Sequence, residues 1–234
     1  LMKGTRLKDV LDDKPTFQKW REIFGKMRRL GTAIEMYYGE KMNIDDLIYV
    51  VQKQLEPDFC QHVIEKFKND DRKYQGLIGR GLDLNVKQSM DLMISDSDNW
   101  KEEDEVFYQS LTRNIQAYKD WVPYPYEYYV CDREIEDSGY QIQETQPGGF
   151  YKWHHDGLGS RMLTFIWYLN DINEGGYTEF NTGFKVQPQT GKLVIFPGLW
   201  PWVHRGVAPK SEVKYLCTGW VSEKPIEMIN TENT

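Results

Sequence analysis

The chain has 234 residues, enough for one large domain or for a core domain with a helical addition. With 40% hydrophobic and 28% charged residues the composition predicts a soluble globular protein, and no apolar run is long enough to cross a bilayer. The net charge of −7 argues against a nucleic-acid backbone as the main partner, because phosphate binding needs a concentrated positive surface.

Three cysteines, Cys60, Cys131 and Cys217, stand at wide spacing, and none forms a CxxC pair that could hold zinc or exchange disulfides. The first residues also lack the charged, apolar and small-residue regions of a signal peptide. We therefore expect reduced thiols and a cytoplasmic location.

The first 47 residues are charged and predicted to be helical. Phe17, Trp20, Phe24 and Met27 follow the three-and-four spacing of an amphipathic helix. We interpret residues 1–47 as an N-terminal helical extension. A cap that buries the aromatic stripe on the main domain is favoured over a partner-binding arm.

Two further amphipathic helices are predicted before the middle of the chain. One begins at Pro57, and the other runs from Trp100 to Lys119. Both stripes indicate packing against a core. The apolar residues are Phe59, Val63 and Phe67 in the first helix and Phe107, Leu111, Ile115 and Tyr118 in the second.

After the Pro- and Tyr-rich passage from Trp121 to Tyr129, short β-branched and aromatic runs alternate with turn residues. Such spacing predicts a β domain, either a sandwich or a jelly roll, followed by a polar tail at residues 226–234. The predicted strands are Gly139–Thr145, Phe150–His155, Met162–Leu169, Tyr177–Phe180, Lys192–Phe196, Trp202–Val207 and Lys214–Val221.

The tetrapeptide Trp-His-His-Asp at residues 153–156 comes near the end of a predicted strand. Side chains of a strand alternate between faces, so His154 and Asp156 point one way and His155 the other. One imidazole and one carboxylate therefore converge. An ordinary strand histidine beside a surface aspartate remains the alternative.

His204 is the only histidine after His155, and it lies in an aromatic and apolar predicted strand. With His154 and Asp156 it could complete a face of two histidines and one carboxylate around a metal. That arrangement leaves coordination positions open and is typical of non-haem iron(II) oxygenases. A tetrahedral zinc site built from the same ligands is the competing interpretation.

Lys214 begins the last predicted strand, ten residues after His204. Lys214, Leu216, Thr218 and Trp220 share one face, an unusual mixture unless that face lines a cavity. A buried lysine needs an anionic partner, and Thr218 could add a hydroxyl donor. A surface lysine in an edge strand is the alternative.

Several stretches in this order resemble the 2-oxoglutarate and iron(II) dioxygenases of the prolyl 4-hydroxylase type. They are PGGFYKWHHD, RMLTFIWYLND, GGYTEF, PQTGKLVIFP, VHRGV and KYLCTGW. The resemblance implies an α+β protein with a double-stranded β-helix, a cupin-like jelly roll, over residues 48–225. Buttressing helices would lie at Asp58–Lys68 and Trp100–Lys119.

The same resemblance assigns roles to individual residues. It places the metal triad on His154, Asp156 and His204. Binding of 2-oxoglutarate falls on Lys214, Tyr168, Thr218 and Trp220. Tyr151 and Arg161 are similar to positions near the substrate entrance. Relatives often carry a tyrosine shortly before the Pro-Gly turn, whereas Thr145 and Gln146 precede Pro147 here, which leaves one cosubstrate contact open.

The resemblance further implies a hydroxylase that uses iron(II), O2 and 2-oxoglutarate, with ascorbate as reductant, and releases succinate and CO2. The expected substrate is a peptidyl proline in a peptide or protein. Another amino acid, a small metabolite or a nucleobase remains open, as does a non-catalytic metal-binding jelly roll. Five aromatic residues near the ligands suit an apolar ring, namely Tyr151, Trp153, Trp167, Trp200 and Trp202. Many of them are expected to belong to the core instead, because the two faces of a strand cannot both meet the cavity. Substrate-clamping loops are expected at Gly76–Asn85 and Tyr124–Ser138.

Overall fold

The computed structural model describes residues 43–122 and 134–224. The predicted amphipathic helix around Phe17–Met27, the thiol Cys131, most of the loop Tyr124–Ser138 and the tail 226–234 lie outside these residues. Across the two described ranges, no helix combines the length and the apolar character needed to span a membrane.

Two α-helices form where the apolar stripes predict them. Helix α1 is Pro57–Lys68 and helix α2 is Lys101–Trp121. Proline suits the first turn of α1, where its missing N–H is not needed, and acidic residues in the first turn of each helix favour the helix dipole. Short 3-10 helices occupy Ile44–Leu47 and Asp98–Trp100.

Twelve strands make up the rest of the described fold, and every pairing between them is antiparallel. The strands are β1 Tyr49–Val51, β2 Tyr74–Gln75, β3 Met90–Met93, β4 Ile135–Asp137, β5 Gln141–Thr145, β6 Tyr151–His154, β7 Arg161–Tyr168, β8 Thr178–Phe180, β9 Lys185–Val186, β10 Leu193–Pro197, β11 His204–Gly206 and β12 Lys214–Glu223.

The strands form two sheets. The major sheet has the order β1-β10-β7-β12-β5-β3-β2, with β4 pairing the end of β12, and the minor sheet has the order β6-β11-β8-β9. Consecutive strands such as β6 and β7 lie in different sheets, as expected when a chain winds between two antiparallel sheets. The predicted jelly roll with buttressing helices is thereby confirmed.

Both helices pack on one face of the major sheet. The four residues predicted to point inward from α2, Phe107, Leu111, Ile115 and Tyr118, are all buried. The ring of Phe107 lies 5.3 Å from that of Trp167 on β7. Burying a side chain of this size stabilises the fold by about 1.5–3 kcal/mol, so this layer holds the major sheet in place.

The opposite face of the major sheet carries the functional side chains. Along β12, Tyr215 and Cys217 join the helix-side core, while the alternate residues Lys214, Leu216 and Thr218 line a cavity. The register places Lys214 opposite Thr145 of β5, and Trp220 opposite Thr164 of β7. Alternation on three adjacent strands thus builds a polar floor inside a largely apolar sandwich.

Five strands were not predicted from the sequence: β1, β2, β3, β4 and β9. Each has two to four residues, too few to show a detectable alternation of apolar and polar side chains. Strand β3 also carries a fully buried aspartate, Asp91, which a binary apolar pattern cannot anticipate.

Candidate active site

A cavity of about 480 Å³ lies on the inner face of the major sheet, and the minor sheet supplies part of its wall. Its lining is rich in groups that titrate, donate hydrogen bonds or bind metals. Among them are Tyr74, Lys87, Gln141, Gln143, Tyr151, His154, Asp156, Arg161, Thr164, Thr178, His204, Lys214, Thr218 and Trp220.

His154, Asp156 and His204 meet in this cavity. His154 and His204 are directly paired across β6 and β11. Their Nε2 atoms lie 3.5 Å and 3.6 Å from the two carboxylate oxygens of Asp156. One ligand atom from each residue lies within 4.8 Å of the others, and among the described residues this is the one grouping of three such side chains.

The second nitrogen of each imidazole is already engaged. Nδ1 of His154 lies 2.7 Å from the backbone oxygen of Lys152, and Nδ1 of His204 lies 3.2 Å from that of Trp202. Because a carbonyl oxygen only accepts, each Nδ1 must donate, which in the neutral ring leaves the Nε2 lone pair free. Both free lone pairs lie beside Asp156, the arrangement that binding of a cation requires.

The electrostatics of the cluster favour a neutral His154 and an ionised Asp156. Burial and the neighbouring His204 lower the pKa of His154 to about 4, so its ring is neutral at physiological pH. Burial opposes ionisation of Asp156, but His204, His154 and the hydroxyl of Thr164 outweigh it and lower the pKa of that carboxyl group. The two imidazoles and the one carboxylate form a donor set that fits iron(II) or zinc.

Asp156 lies two residues beyond the end of β6, and Oδ2 accepts a 2.7 Å hydrogen bond from Oγ1 of Thr164. His155, between the two ligands, is exposed and takes no part in the cluster. The alternation argument therefore selected the two side chains that converge.

Lys214 is the buried lysine of the cavity floor. It is 3% exposed, and its one hydrogen bond is a 3.1 Å contact from Nζ to the backbone oxygen of Gly176. Burial lowers the pKa of Lys214 to about 8. No carboxylate of the described residues forms an ion pair with it, so the ammonium group is available to an anion that enters the cavity.

Other predicted cosubstrate residues contact the cavity differently. Tyr168 is fully buried outside the lining, and its hydroxyl donates to Oγ1 of Thr178, which does line the cavity. Thr218 lines it as well, but its hydroxyl donates 2.8 Å to the backbone oxygen of Phe165. Thr178 thus joins the candidate site although no sequence argument singled it out.

Tyr151 and Arg161, expected at the substrate entrance, both line the cavity. The ring of Tyr151 stacks on that of His154 at 3.6 Å between centroids. The guanidinium of Arg161 lies 3.4 Å from the ring centre of Trp220. Both side chains therefore line the same cavity as the cluster of His154, Asp156 and His204.

The four tryptophans that lie near the ligands in the sequence do not line the cavity. Trp167 is buried in the helix-side core, Trp153 and Trp200 are exposed, and Nε1 of Trp202 donates to the backbone oxygen of Ile44. Strand alternation sends Trp153 and Trp167 to faces opposite the ligands. Of the five aromatic residues, Tyr151 alone faces the cavity.

A second polar group in the lining was not foreseen. Nζ of Lys87 lies 2.5 Å from Oδ2 of Asp91, both residues are buried, and Ser89 donates to the other carboxylate oxygen. Gly76 packs over this cluster so closely that an added Cβ would lie 2.8 Å from Cε of Lys87. The sequence offers no strand pattern strong enough to bring these residues together.

Comparisons with known proteins agree with this geometry. Residues 140–222, which contain the triad, Lys214 and Trp220, match the family model described as the 2OG-Fe(II) oxygenase superfamily. With the fold and the convergent triad, this match supports dioxygenase chemistry that depends on iron(II) and 2-oxoglutarate for this part of the chain. The resemblance seen in the sequence is thereby confirmed.

Several solved structures share this fold. A viral collagen prolyl hydroxylase from Paramecium Bursaria Chlorella virus-1 is 18% identical, with a TM-score of 0.57 over 76% of this chain and 97% of that one. A prolyl-4-hydroxylase of Pseudomonas putida is 18% identical, with a TM-score of 0.56 over 78% of this chain and 97% of its own.

A third structure is a prolyl hydroxylase from Trichoplax adhaerens in complex with a hypoxia inducible factor peptide fragment. It is 15% identical, with a TM-score of 0.61 over 92% of this chain and 96% of that one. The fold is therefore that of prolyl hydroxylases. No curated protein matches the chain.

Proposed function

We propose that the protein hydroxylates a prolyl residue of a polypeptide, holding iron(II) with His154, Asp156 and His204. The observation that carries this proposal is the pairing of two features in one cavity. Two imidazoles present free Nε2 lone pairs beside a carboxylate, and Lys214 offers a buried ammonium group without a carboxylate partner. A zinc site needs no such ammonium group nearby.

Iron(II) supplies the oxidising chemistry when bound: O2 and 2-oxoglutarate are converted to succinate and CO2, and one oxygen atom enters the substrate C–H bond. The protein's task is to bind, orient and exclude water. Backbone carbonyls fix the rings of His154 and His204, so the ligand geometry exists before any metal arrives.

The cosubstrate would be held by the face of β12. Lys214 provides the charge for a carboxylate, and Thr178 provides a hydroxyl whose orientation Tyr168 controls. Thr218 and Trp220 form the adjoining floor. Ile166 and Leu216 line the same region, which suits the methylene groups of a dicarboxylate.

A polypeptide substrate is supported by the remaining walls. Leu77, Ile78 and Leu158 give the lining apolar side chains, and Leu77 and Leu158 are more than half exposed. Leu77 and Ile78 belong to the loop Gly76–Asn85, which was expected to clamp a substrate. An apolar rim of this kind suits a pyrrolidine ring and its neighbouring side chains.

The polar wall beyond the floor complements a peptide group. Nε2 of Gln143 donates to Oε1 of Gln141, and Nε2 of Gln141 donates to the hydroxyl oxygen of Tyr74. Among the described residues, Oε1 of Gln143 then lacks a donor and the Tyr74 hydroxyl lacks an acceptor. A free acceptor and a free donor are what the N–H and C=O of an amide require.

The test is a panel of proline-containing peptides incubated with the protein, iron(II), 2-oxoglutarate and ascorbate, which we expect to act as reductant. Mass spectrometry should find a gain of one oxygen on a prolyl residue. If peptides never react while a free amino acid, a small metabolite or a nucleobase does, the prolyl assignment is wrong. Omitting ascorbate tests its role separately, and a cytoplasmic location remains a prediction for microscopy.

A further inference from the structure

We infer that Thr164 is a positioning residue for the metal site, because its hydroxyl fixes the carboxylate of Asp156 between the two histidines. This inference rests on the proposed role of the triad. It adds a residue from the major sheet to a site whose histidines both belong to the minor sheet.

Asp156 needs such a support because regular structure does not provide one. His154 and His204 are held by strand pairing and by their Nδ1 contacts, whereas Asp156 follows the end of β6 in irregular backbone. A short aspartate side chain on such a segment can adopt several rotamers. The 2.7 Å hydrogen bond from Thr164 Oγ1 to Asp156 Oδ2 selects one of them.

Thr164 is itself held rigidly. It lies in the middle of the major sheet on β7, is 2% exposed, and is paired with β10 on one side and β12 on the other. A β-branched residue in a buried strand has a restricted χ1. The hydroxyl therefore forms a fixed donor at the cavity surface, well suited to orient the carboxylate of Asp156.

The surroundings leave space for this contact. At Gly198 an added Cβ would lie 3.2 Å from Oγ1 of Thr164 and 3.6 Å from Cβ of Asp156, so a larger residue there would crowd the pair. Trp220, directly opposite Thr164 on β12, closes the next side, and its side chain also helps to lower the pKa of the Asp156 carboxyl group. Residues in or next to the major sheet thus surround the carboxylate of Asp156 on several sides.

Thr218, on the neighbouring strand, shows that a buried threonine of this sheet can donate its hydroxyl to a backbone oxygen instead of a carboxylate. Its hydroxyl donates to the backbone oxygen of Phe165, the usual local solution for a buried threonine. Thr164 instead donates to a carboxylate eight residues away in sequence. A merely structural threonine has no need of that partner.

The test compares binding of iron(II) under anaerobic conditions, by isothermal titration calorimetry, in the wild type, Thr164→Val and Thr164→Ser. We expect Thr164→Val to weaken iron(II) binding by about 10- to 100-fold, the usual cost of losing a residue that orients a metal ligand. Thr164→Ser keeps the donor and should bind close to the wild type. Thr190→Val is the matched control, because Thr190 also donates to an aspartate, Asp171, but lies outside the cavity lining.

Three results would overturn the inference: equal binding by the wild type and Thr164→Val, equal losses in the serine and valine variants, or an equal loss in Thr190→Val. If the wild type binds no iron(II), the proposed function fails as well, so the two failures are distinguishable. Should Thr164→Val not fold, Thr164→Ala removes the same hydroxyl without adding volume and is expected to show the same loss.

Discussion

The cavity floor has two halves that differ in how their polar groups are satisfied. In the half formed by β7, β12 and the triad, Lys214 has only a carbonyl partner and each histidine keeps one free nitrogen. In the half formed by β5, β3 and β2, Lys87 is paired with Asp91 and the glutamine side chains bond to one another.

Leaving a buried polar group unpaired costs free energy, so the two halves should have different roles. The first half is incomplete without ligands of complementary charge, and we interpret it as the reaction centre. The second half is largely complete in itself and forms a preorganised wall. Substitutions in the first half should therefore affect ligand binding, whereas substitutions of the paired Lys87 and Asp91 in the second half should affect folding stability.

The largest effect is expected for the metal ligands. His154→Ala or Asp156→Ala should abolish iron binding and turnover, because either change removes one of three protein ligands. His155→Ala is the internal control and should be mild, since His155 is exposed and outside the cluster. Calorimetric titration measures iron binding, and succinate formation measures turnover. Similar losses in His154→Ala and His155→Ala would contradict the assignment.

Breaking the ion pair in the wall should lower the free energy of unfolding. Lys87→Met leaves Asp91 buried without its counter-ion, and we expect the free energy of unfolding to fall by about 3–5 kcal/mol. The exposed pair of Lys68 and Glu65 provides a control, because Lys68→Met should change stability by less than about 1 kcal/mol. Urea unfolding at neutral pH compares the two. Normal stability in Lys87→Met, combined with lost 2-oxoglutarate binding, would assign Lys87 to the reaction centre instead.

Substitution of Lys214 should weaken the binding of 2-oxoglutarate. Lys214→Ala is expected to raise the KM for 2-oxoglutarate by about 10- to 100-fold, the loss of one charge-assisted hydrogen bond, with a smaller effect on kcat. Lys192 is another buried lysine, whose Nζ donates to the backbone oxygen of Gln187 and which does not line the cavity. Lys192→Ala should leave this KM unchanged, and equal KM values for both variants would rule out Lys214 as the anion site.

A smaller effect is expected from pH. Because burial lowers the pKa of Lys214 to about 8, the ammonium form that binds an anion predominates below that pH and is lost above it. Affinity for 2-oxoglutarate should therefore fall as the pH rises through about 8. Lys214→Arg should flatten the profile, because arginine stays protonated. A wild-type affinity that rises with pH in this range would contradict the assignment.

The candidate reaction centre could be predicted from the sequence because its residues follow local, periodic patterns along strands. Alternation separated His154 from His155, and it placed Lys214 and Thr218 on the cavity side of β12. The helices and seven main strands also follow from apolar spacing, with boundaries shifted by one or two residues.

The wall could not be predicted in this way. Lys87 and Asp91 meet only because β3 pairs with β5, and a four-residue strand containing a buried aspartate gives no apolar signal. The contact between Thr164 and Asp156 joins two sheets, which no spacing rule expresses. For the tryptophans, closeness in sequence to the ligands was misleading, since Trp153 and Trp167 face away from the cavity.

The most direct measurement is succinate formed from 2-oxoglutarate when the protein is supplied with iron(II) and O2, with His154→Ala as the blank. We expect succinate in the wild type, stimulated by a proline-containing peptide, and none above background in His154→Ala. No succinate with any substrate, together with tight zinc binding, would contradict the account and leave a metal-binding jelly roll in its place.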